Sequence, residues 1–324
     1  MKTLAFDSAV IGGGAAGMAA ALKLSEEGFS AVLIDREACL GGILNQCIHP
    51  GFGMHRFGED LTGPEYAGRD IGMLTETKVK ALTGTTVTDI RDLAGEKELV
   101  CYSAAEGVVF VRARTVVLAM GCRERNRGNI RISGTRPAGV FTAGFAQRLV
   151  NIEGLVPGRN VVILGSGDIG LIMARRMHWI GCRVLAVIEI QPYPSGLTRN
   201  IVQCLNDYDI PLYLSHLITG ISGKNRIESV TVTPLKEGLP DESGSFVLPC
   251  DTLLLSVGLI PENELTKKAG AVLDSGTGGP LVDSRLMTTI PGIFACGNVL
   301  HVHDLVDYAS DEAGRAGTAA ARYM

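Results

Sequence analysis

The apolar residues of this chain fall into short runs separated by glycine, and two of the runs are followed by the same pattern. The first run, Ala9-Val10-Ile11, leads into Gly12-Gly13-Gly14-Ala15-Ala16-Gly17, and the second, Val161-Val162-Ile163-Leu164, leads into Gly165-Ser166-Gly167-Asp168-Ile169-Gly170. Each glycine turn opens a helical pattern, over about 14–27 and 168–180, and each helix is followed by a second apolar run that ends on an acid. Asp35 closes Ala31-Val32-Leu33-Ile34, and Glu189 closes Val184-Leu185-Ala186-Val187-Ile188. Between the two units, segments 86–91, 97–102, 108–112 and 115–119 read as a small antiparallel sheet leading back to a parallel strand. Pro64 and Glu65 mark the first turn of a further helix. In the second half Thr142 is placed to cap a helix running to about Glu153. Strands are expected near 211–215, 226–233 and 246–250. Trp179 and the Met and Ile positions of helix 168–180 read as core. The stretch from Val282 to Met324 reads as strand, tight turn and final helix.

Both turns have the form G-x-G-x-x-G. The first glycine permits the sharp strand-to-helix turn, the second lets backbone N–H groups approach a pyrophosphate, and the third allows close helix–strand packing. The distal acid is placed to accept a ribose hydroxyl. A lone motif of this kind is often an ordinary turn, but here strand, helix and acid accompany it twice. Two dinucleotide sites in one chain imply electrons passing between two cofactors.

Composition agrees. The chain has 324 residues, 46% of them apolar and 5% aromatic, with 41 glycines and a net charge of −4. That suits two α/β domains, and the absence of a basic run interleaved with aromatics argues against nucleic acid. The apolar stretches are strand-length, so no membrane span is expected. Lys2 and the apolar segment after it superficially resemble a secretion signal, but Gly12-Gly13-Gly14 interrupts the segment, and a strand explains it better. None of the eight cysteines lies in a C-x-x-C pair, so reduced thiols in a cytoplasmic protein are the expectation.

These stretches together resemble the pyridine nucleotide–disulfide oxidoreductase superfamily, at the size of thioredoxin reductase. Thr115 to Gly121, Leu255-Ser256-Val257-Gly258-Leu259-Ile260-Pro261 and Gly292-Ile293-Phe294-Ala295-Cys296-Gly297-Asn298 carry the likeness beyond the two fingerprints. The resemblance implies two Rossmann-like dinucleotide-binding domains with the NAD domain inserted into the FAD domain: 1–120 and 251–324 for FAD, 121–250 for NAD(P) with the crossing segment. It assigns Gly12, Gly14, Ala15, Ala16, Gly17, Asp35, Arg36 and Gly42 to FAD, together with Ala119, Gly121, Gly297 and Asn298. Asp307 and Tyr308 fall near the helix start that touches the flavin ring. It assigns Gly165, Gly167, Asp168, Ile169, Gly170, Glu189 and Gly258 to NAD. The family implies direct hydride transfer between nicotinamide and flavin, with no side-chain acid or base needed.

Two departures stand out. Asn298 replaces the family's Asp, and it retains hydrogen-bonding capacity without charge. The redox disulfide is absent, since Gly41-Gly42 is followed by a single cysteine, Cys47. Gly134 to Val140, with Ala143 to Arg148, further resembles subunits of sarcosine oxidase, opine oxidase and hydrogen cyanide synthase. The Gly41–Gly63 loop resembles flavoproteins accompanying anaerobic glycerol-3-phosphate dehydrogenase. A partner dehydrogenase or electron-transfer subunit is therefore implied; a homo-oligomer is left open.

Cys47 and His49 are the candidate catalytic pair, read as thiolate and imidazole or, preferentially, as a buried small residue and a loop hydrogen-bonder. His301 and His303 share a face but lack further ligands at recognisable spacing, so no metal is expected. Arg123, Arg125, Arg127 and Arg131 read as a solvated inter-domain loop rather than a phosphate grip. Glu189 favours NAD over NADP because its charge would repel a 2′-phosphate; Gln191 and Tyr193 follow it, although Arg183 is near. The reading is an FAD-containing, NAD(H)-linked oxidoreductase. Its alternatives are a disulfide reductase using Cys47 and a non-catalytic cofactor-holding subunit.

Overall fold

The computed structural model describes residues 2–93 and 95–324. The chain divides into two compact units, one formed by the residues up to Arg123 together with Ile260–Met324, the other by Glu124–Leu259.

The first unit begins with β1 (Lys2–Ile11), α1 (Ala15–Glu26) and β2 (Ala31–Ile34), then α2 (Gly63–Thr75) and β3 (Lys80–Leu82). It continues through β4 (Thr85–Leu93), β5 (Glu96–Ser103) and β6 (Gly107–Leu118). The sheet order is β3-β2-β1-β6-β5-β4. β1 runs parallel to β2 and β6, whereas β5 pairs antiparallel with both β4 and β6. The two segments expected at 108–112 and 115–119 are one 12-residue strand. Its alternating part lies in the antiparallel ribbon, and its last four residues, Thr115–Leu118, are all buried in the parallel sheet, as such sheets require. At the start of α2 the side chain of Glu65 accepts the backbone N–H of Thr62, completing a capping box with Thr62 as N-cap, and Pro64 and Glu65 lie in the first turn as expected.

The second unit contains β7 (Val140–Thr142), α3 (Ala143–Asn151), β8 (Asn160–Leu164), α4 (Asp168–Trp179), β9 (Arg183–Ile188) and β10 (Leu212–Tyr213). An antiparallel layer follows, β11 (His216–Gly223), β12 (Ile227–Lys236) and β13 (Phe246–Pro249), and then β14 (Thr252–Leu255). The parallel sheet runs β7-β14-β8-β9-β10. β14 sits between β7 and β8 with all four residues buried, and this compact unit runs on to Leu259, past the position 250 expected from the sequence. An isolated four-residue apolar run does not reveal which sheet it enters.

Thr142 is the N-cap of α3, as expected, but makes no side-chain capping bond; the Glu124 carboxylate accepts the N–H groups of Gly144 and Phe145. One further expectation is corrected here. Trp179 is not core but 56% exposed, with Arg175 stacked over its ring and its indole N–H donated to Tyr208. Met173 and Met177 of the same helix are buried as expected.

The chain then returns to the first unit. β15 (Ile293–Ala295) pairs parallel with the end of β6, and α5 (Val306–Tyr323) packs along α1.

Candidate functional site

The first glycine loop is shaped by backbone crowding. Gly12 has φ +107°, and a Cβ there would lie 2.3 Å from the Ala119 carbonyl oxygen at the end of β6. At Gly17 a Cβ would fall 1.7 Å from the Gly12 carbonyl, so α1 approaches the loop more closely than any side chain permits. Gly14, by contrast, faces open space. Gly14 is also the N-cap of α1 and supplies no side chain to its first turn, so the N–H groups around Ala15 and Ala16 remain as donors to an anion. Asp35 is buried, accepting the Gly13 N–H at 2.5 Å and the Glu37 N–H at 2.7 Å. Its carboxylate therefore clamps the glycine loop to the end of β2. Arg36, next to it, is exposed.

The loop after Asp35 folds back on the cradle. The Gly41 N–H donates to Gly13 O at 2.8 Å, and a Cβ on Gly42 would be 3.0 Å from Gly14 Cα. From the other end of the sequence, Gly297 arrives so close that a Cβ would sit 2.7 Å from that of Ala16. Asn298 follows, its Oδ1 accepting the His303 backbone N–H at 3.0 Å and its Nδ2 3.6 Å from Cys122 Sγ. Gly121, at φ +73°, has its carbonyl bonded by Glu262 N–H. Asp307 is buried in the first turn of α5, and its carboxylate accepts the N–H groups of Gly53 and Arg56. Its acceptors thus hold the 50–57 loop. The Tyr308 ring is half exposed against His55.

The second cradle repeats this construction. Gly165 has φ +101° with a Cβ position 2.0 Å from Ser256 O, and Gly170 would meet the Gly165 carbonyl at 2.3 Å. Gly167 is nearly open, with only Ser256 Oγ at 3.9 Å, and it caps α4 without a side chain. Glu189 takes the place of Asp35: buried, it accepts the Ser166 N–H and hydroxyl at 2.9 and 2.6 Å and the Gln191 N–H at 2.9 Å. Burial raises the Glu189 carboxyl, but these bonds outweigh it and hold the group below the ordinary range, as an anion. Asp168 bonds Leu197 N–H and Asn200 Nδ2, tying segment 195–200 against the loop. Ile169 packs into the core of this unit. Gly258, at φ +99°, accepts the Arg125 N–H.

Other expected residues are placed differently. Cys47 is buried, and burial pushes its thiol up to about 12, so no thiolate forms near neutrality. That burial speaks for the preferred reading of Cys47 as a buried small residue and against a Cys47–His49 thiolate–imidazole pair. His49 lies with Nδ1 3.0 Å from Pro50 O and its ring against Phe52. Cys47→Ser is accordingly expected to leave NADH-driven turnover within about twofold of wild type, measured by steady-state dye reduction. None of the eight cysteines is in a disulfide among the described residues. Arg127 braces its own loop through the carbonyls of Ile132, Ser133 and Gly134, and Arg123 pairs with Glu262. His301 and His303 stack at 4.1 Å. Glu312, which the sequence did not single out, reaches them from α5. Burial raises its carboxyl, but His303 and the Gly297 N–H hold it below the ordinary range.

Two strand–loop–helix cradles, each closed by a buried acid bonded to the second residue of its glycine loop, define a protein that holds two dinucleotides. The open ground at Gly14 and Gly167 and the uncapped helix starts fit a diphosphate in each. The chain belongs to the pyridine nucleotide-disulphide oxidoreductase family, whose description matches residues 6–313. The family consists of FAD-dependent, NAD(P)-linked oxidoreductases, and FAD and NAD(P) are the cofactors of this chain. It is 27% identical to hydrogen cyanide synthase subunit HcnB of Pseudomonas protegens, over 82% of this chain and 59% of that one. It is likewise 27% identical to the mitochondrial dihydrolipoyl dehydrogenase of Caenorhabditis elegans, over 94% of this chain and 66% of that one. The chain thus spans about three fifths to two thirds of the length of these curated relatives. In fold it is similar to the thioredoxin reductase of T. acidophilum, with a TM-score of 0.80, 23% identity and 98% of both chains covered. No helix among the described residues is long and apolar enough to cross a membrane.

Proposed function

We propose that this chain is an FAD-dependent oxidoreductase that exchanges electrons with NAD(H) and relays them to or from a partner dehydrogenase subunit or another external acceptor. The observation that carries this reading is the matched build of the two cradles, down to the clamps Asp35–Gly13 and Glu189–Ser166. We assign the first cradle to FAD and the second to NAD(H). Bound there, FAD supplies hydride and electron chemistry, and the nicotinamide nucleotide supplies or takes the hydride. The chain's own part is binding and orientation. The N–H groups at the starts of α1 and α4 take the diphosphates, Gly297 and Asn298 close the first cradle, and Asp35 and Glu189 keep the ribose ends in register.

Glu189 also argues for NAD(H) over NADP(H), because its buried anion would face a 2′-phosphate. Like charges brought together cost several kcal/mol, so NADH is expected to act at concentrations at least about tenfold below NADPH. Anaerobic titration of the yellow protein tests both points. Bleaching by NADH supports the reading, and failure to bleach favours a subunit that merely holds its cofactors. The partner role is supported by the relative whose own name describes a synthase subunit. A disulfide reductase working through Cys47 is disfavoured by that thiol's burial. It would show new thiols after NADH reduction, whereas a constant count of eight is expected.

A further inference from the structure

Three side chains beside the late glycine turn converge on one point. His301 and His303 lie between Gly297 and α5, and Glu312 projects from the second turn of α5; one donor atom from each lies within 4.8 Å of the other two. His301 Nε2 is 3.1 Å from Glu312 Oε2, and His303 Nε2 is 3.5 Å from Oε1. The side chains of His303 and Glu312 are 8% and 7% exposed, while His301 at 45% leaves one side open to solvent.

Hydrogen-bond accounting shows what the cluster lacks. His303 Nδ1 lies 3.1 Å from His301 O and 3.3 Å from Asn298 Oδ1, and both of these atoms only accept. In the neutral form of His303 the ring proton assigned from this network sits on Nδ1, and the Nε2 lone pair then faces a carboxylate oxygen that also offers lone pairs. Two acceptors face each other unless a positive centre lies between them. One cation in reach of all three groups removes the conflict. The surroundings are already arranged as an outer shell: Nδ1–H is bonded to oxygen, and Glu312 Oε1 is fixed by the Gly297 N–H at 2.8 Å.

We propose that His301, His303 and Glu312 form a binding site for a divalent transition-metal ion of the Zn²⁺ class, with an open coordination position beside His301. Two imidazoles and a carboxylate are a donor set that such ions favour, and their donor atoms already lie within 4.8 Å of one another. The ion would pin the His301–His303 segment to α5 and thereby fix the turn that presents Gly297 and Asn298. This site does not depend on which dinucleotide the first cradle holds.

The test uses the purified full chain, freed of metal by chelator and gel filtration, titrated calorimetrically with ZnCl₂ and melted with and without the ion. Wild type is expected to bind one equivalent and to melt at higher temperature when loaded. His301→Ala and Glu312→Gln should each weaken binding by at least about tenfold and abolish the thermal gain. Glu312→Gln retains an oxygen for the Gly297 N–H. His301→Ala alters a half-exposed side chain, so it serves if the other variant does not fold. No saturable binding by wild type would overturn the proposal. So would binding that both variants retain, since the ion would then lie elsewhere, on thiols such as the exposed Cys39.

Discussion

Gly12→Ala is expected to yield a protein that purifies without colour, and Gly165→Ala one that stays yellow but is no longer bleached by NADH. The two substitutions are sterically equivalent. Each adds a methyl group where the backbone has positive φ and a carbonyl oxygen stands 2.3 Å (Ala119) or 2.0 Å (Ser256) from the new atom. The chain must rotate the turn out of its cradle conformation, and forcing it back on binding costs about 2–4 kcal/mol. At 1.4 kcal/mol per tenfold, even the lower figure weakens nucleotide binding roughly thirtyfold. Flavin content per chain and the rate of anaerobic bleaching read the two sites separately, with dithionite as the control that the yellow variant can still be reduced. The reverse pattern, with colour lost at Gly165 and NADH response lost at Gly12, would show that the cofactors have been assigned to the wrong cradles. Colour retained in both variants would show that neither loop holds the flavin.

Both glycine loops are legible in the amino-acid sequence for a physical reason. A strand that must be buried on both faces, a turn that admits only glycine and a helix packed onto the turn are local demands, and each leaves a mark within thirty or so residues. What escapes the sequence depends on contacts between distant segments. Thr252–Leu255 is equally apolar whether it completes one sheet or the other, and only its pairing with β8 decides. Thr142 satisfies the local rule for a helix cap, but Glu124 arrives from outside the helix and takes the donors. Trp179 sits on a helix of apolar pattern, yet its position at the last turn leaves the ring outside, covered by Arg175. The His301–His303 pair is visible as an alternation, whereas its third member comes from a helix whose Glu312 looks like any other surface acid until α5 is packed. Asp307 belongs to the same class: its buried carboxylate serves the 50–57 loop, a partner far away in sequence.

That loop also carries the second large effect, a dependence of stability on pH through Asp70. Asp70 is fully buried in α2, and Arg56 reaches only its Oδ1, at 2.5 Å. Oδ2 has no partner among the described residues. Half of the carboxylate has lost water without compensation, so burial outweighs the attraction of Arg56 and raises the group to about 6. In the unfolded chain it titrates near the ordinary aspartate value of about 3.9. A carboxyl raised on folding contributes stability in full below the unfolded value, and that contribution is lost as pH climbs through about 6. Two pKa units correspond to about 3 kcal/mol, of which roughly half is lost between about pH 5 and about pH 8. Asp70→Asn removes the titration while retaining an acceptor for Arg56. Urea unfolding across that interval should therefore show wild-type stability declining relative to the variant by about 1–2 kcal/mol. Parallel pH profiles would mean that Asp70 is ionised throughout and that the Arg56 pair fully offsets its burial. Because the N–H of Arg56 also holds Asp307 at the start of α5, the same titration should be accompanied by faster proteolytic nicking of the 50–57 loop where the buried anion forms, above about pH 6.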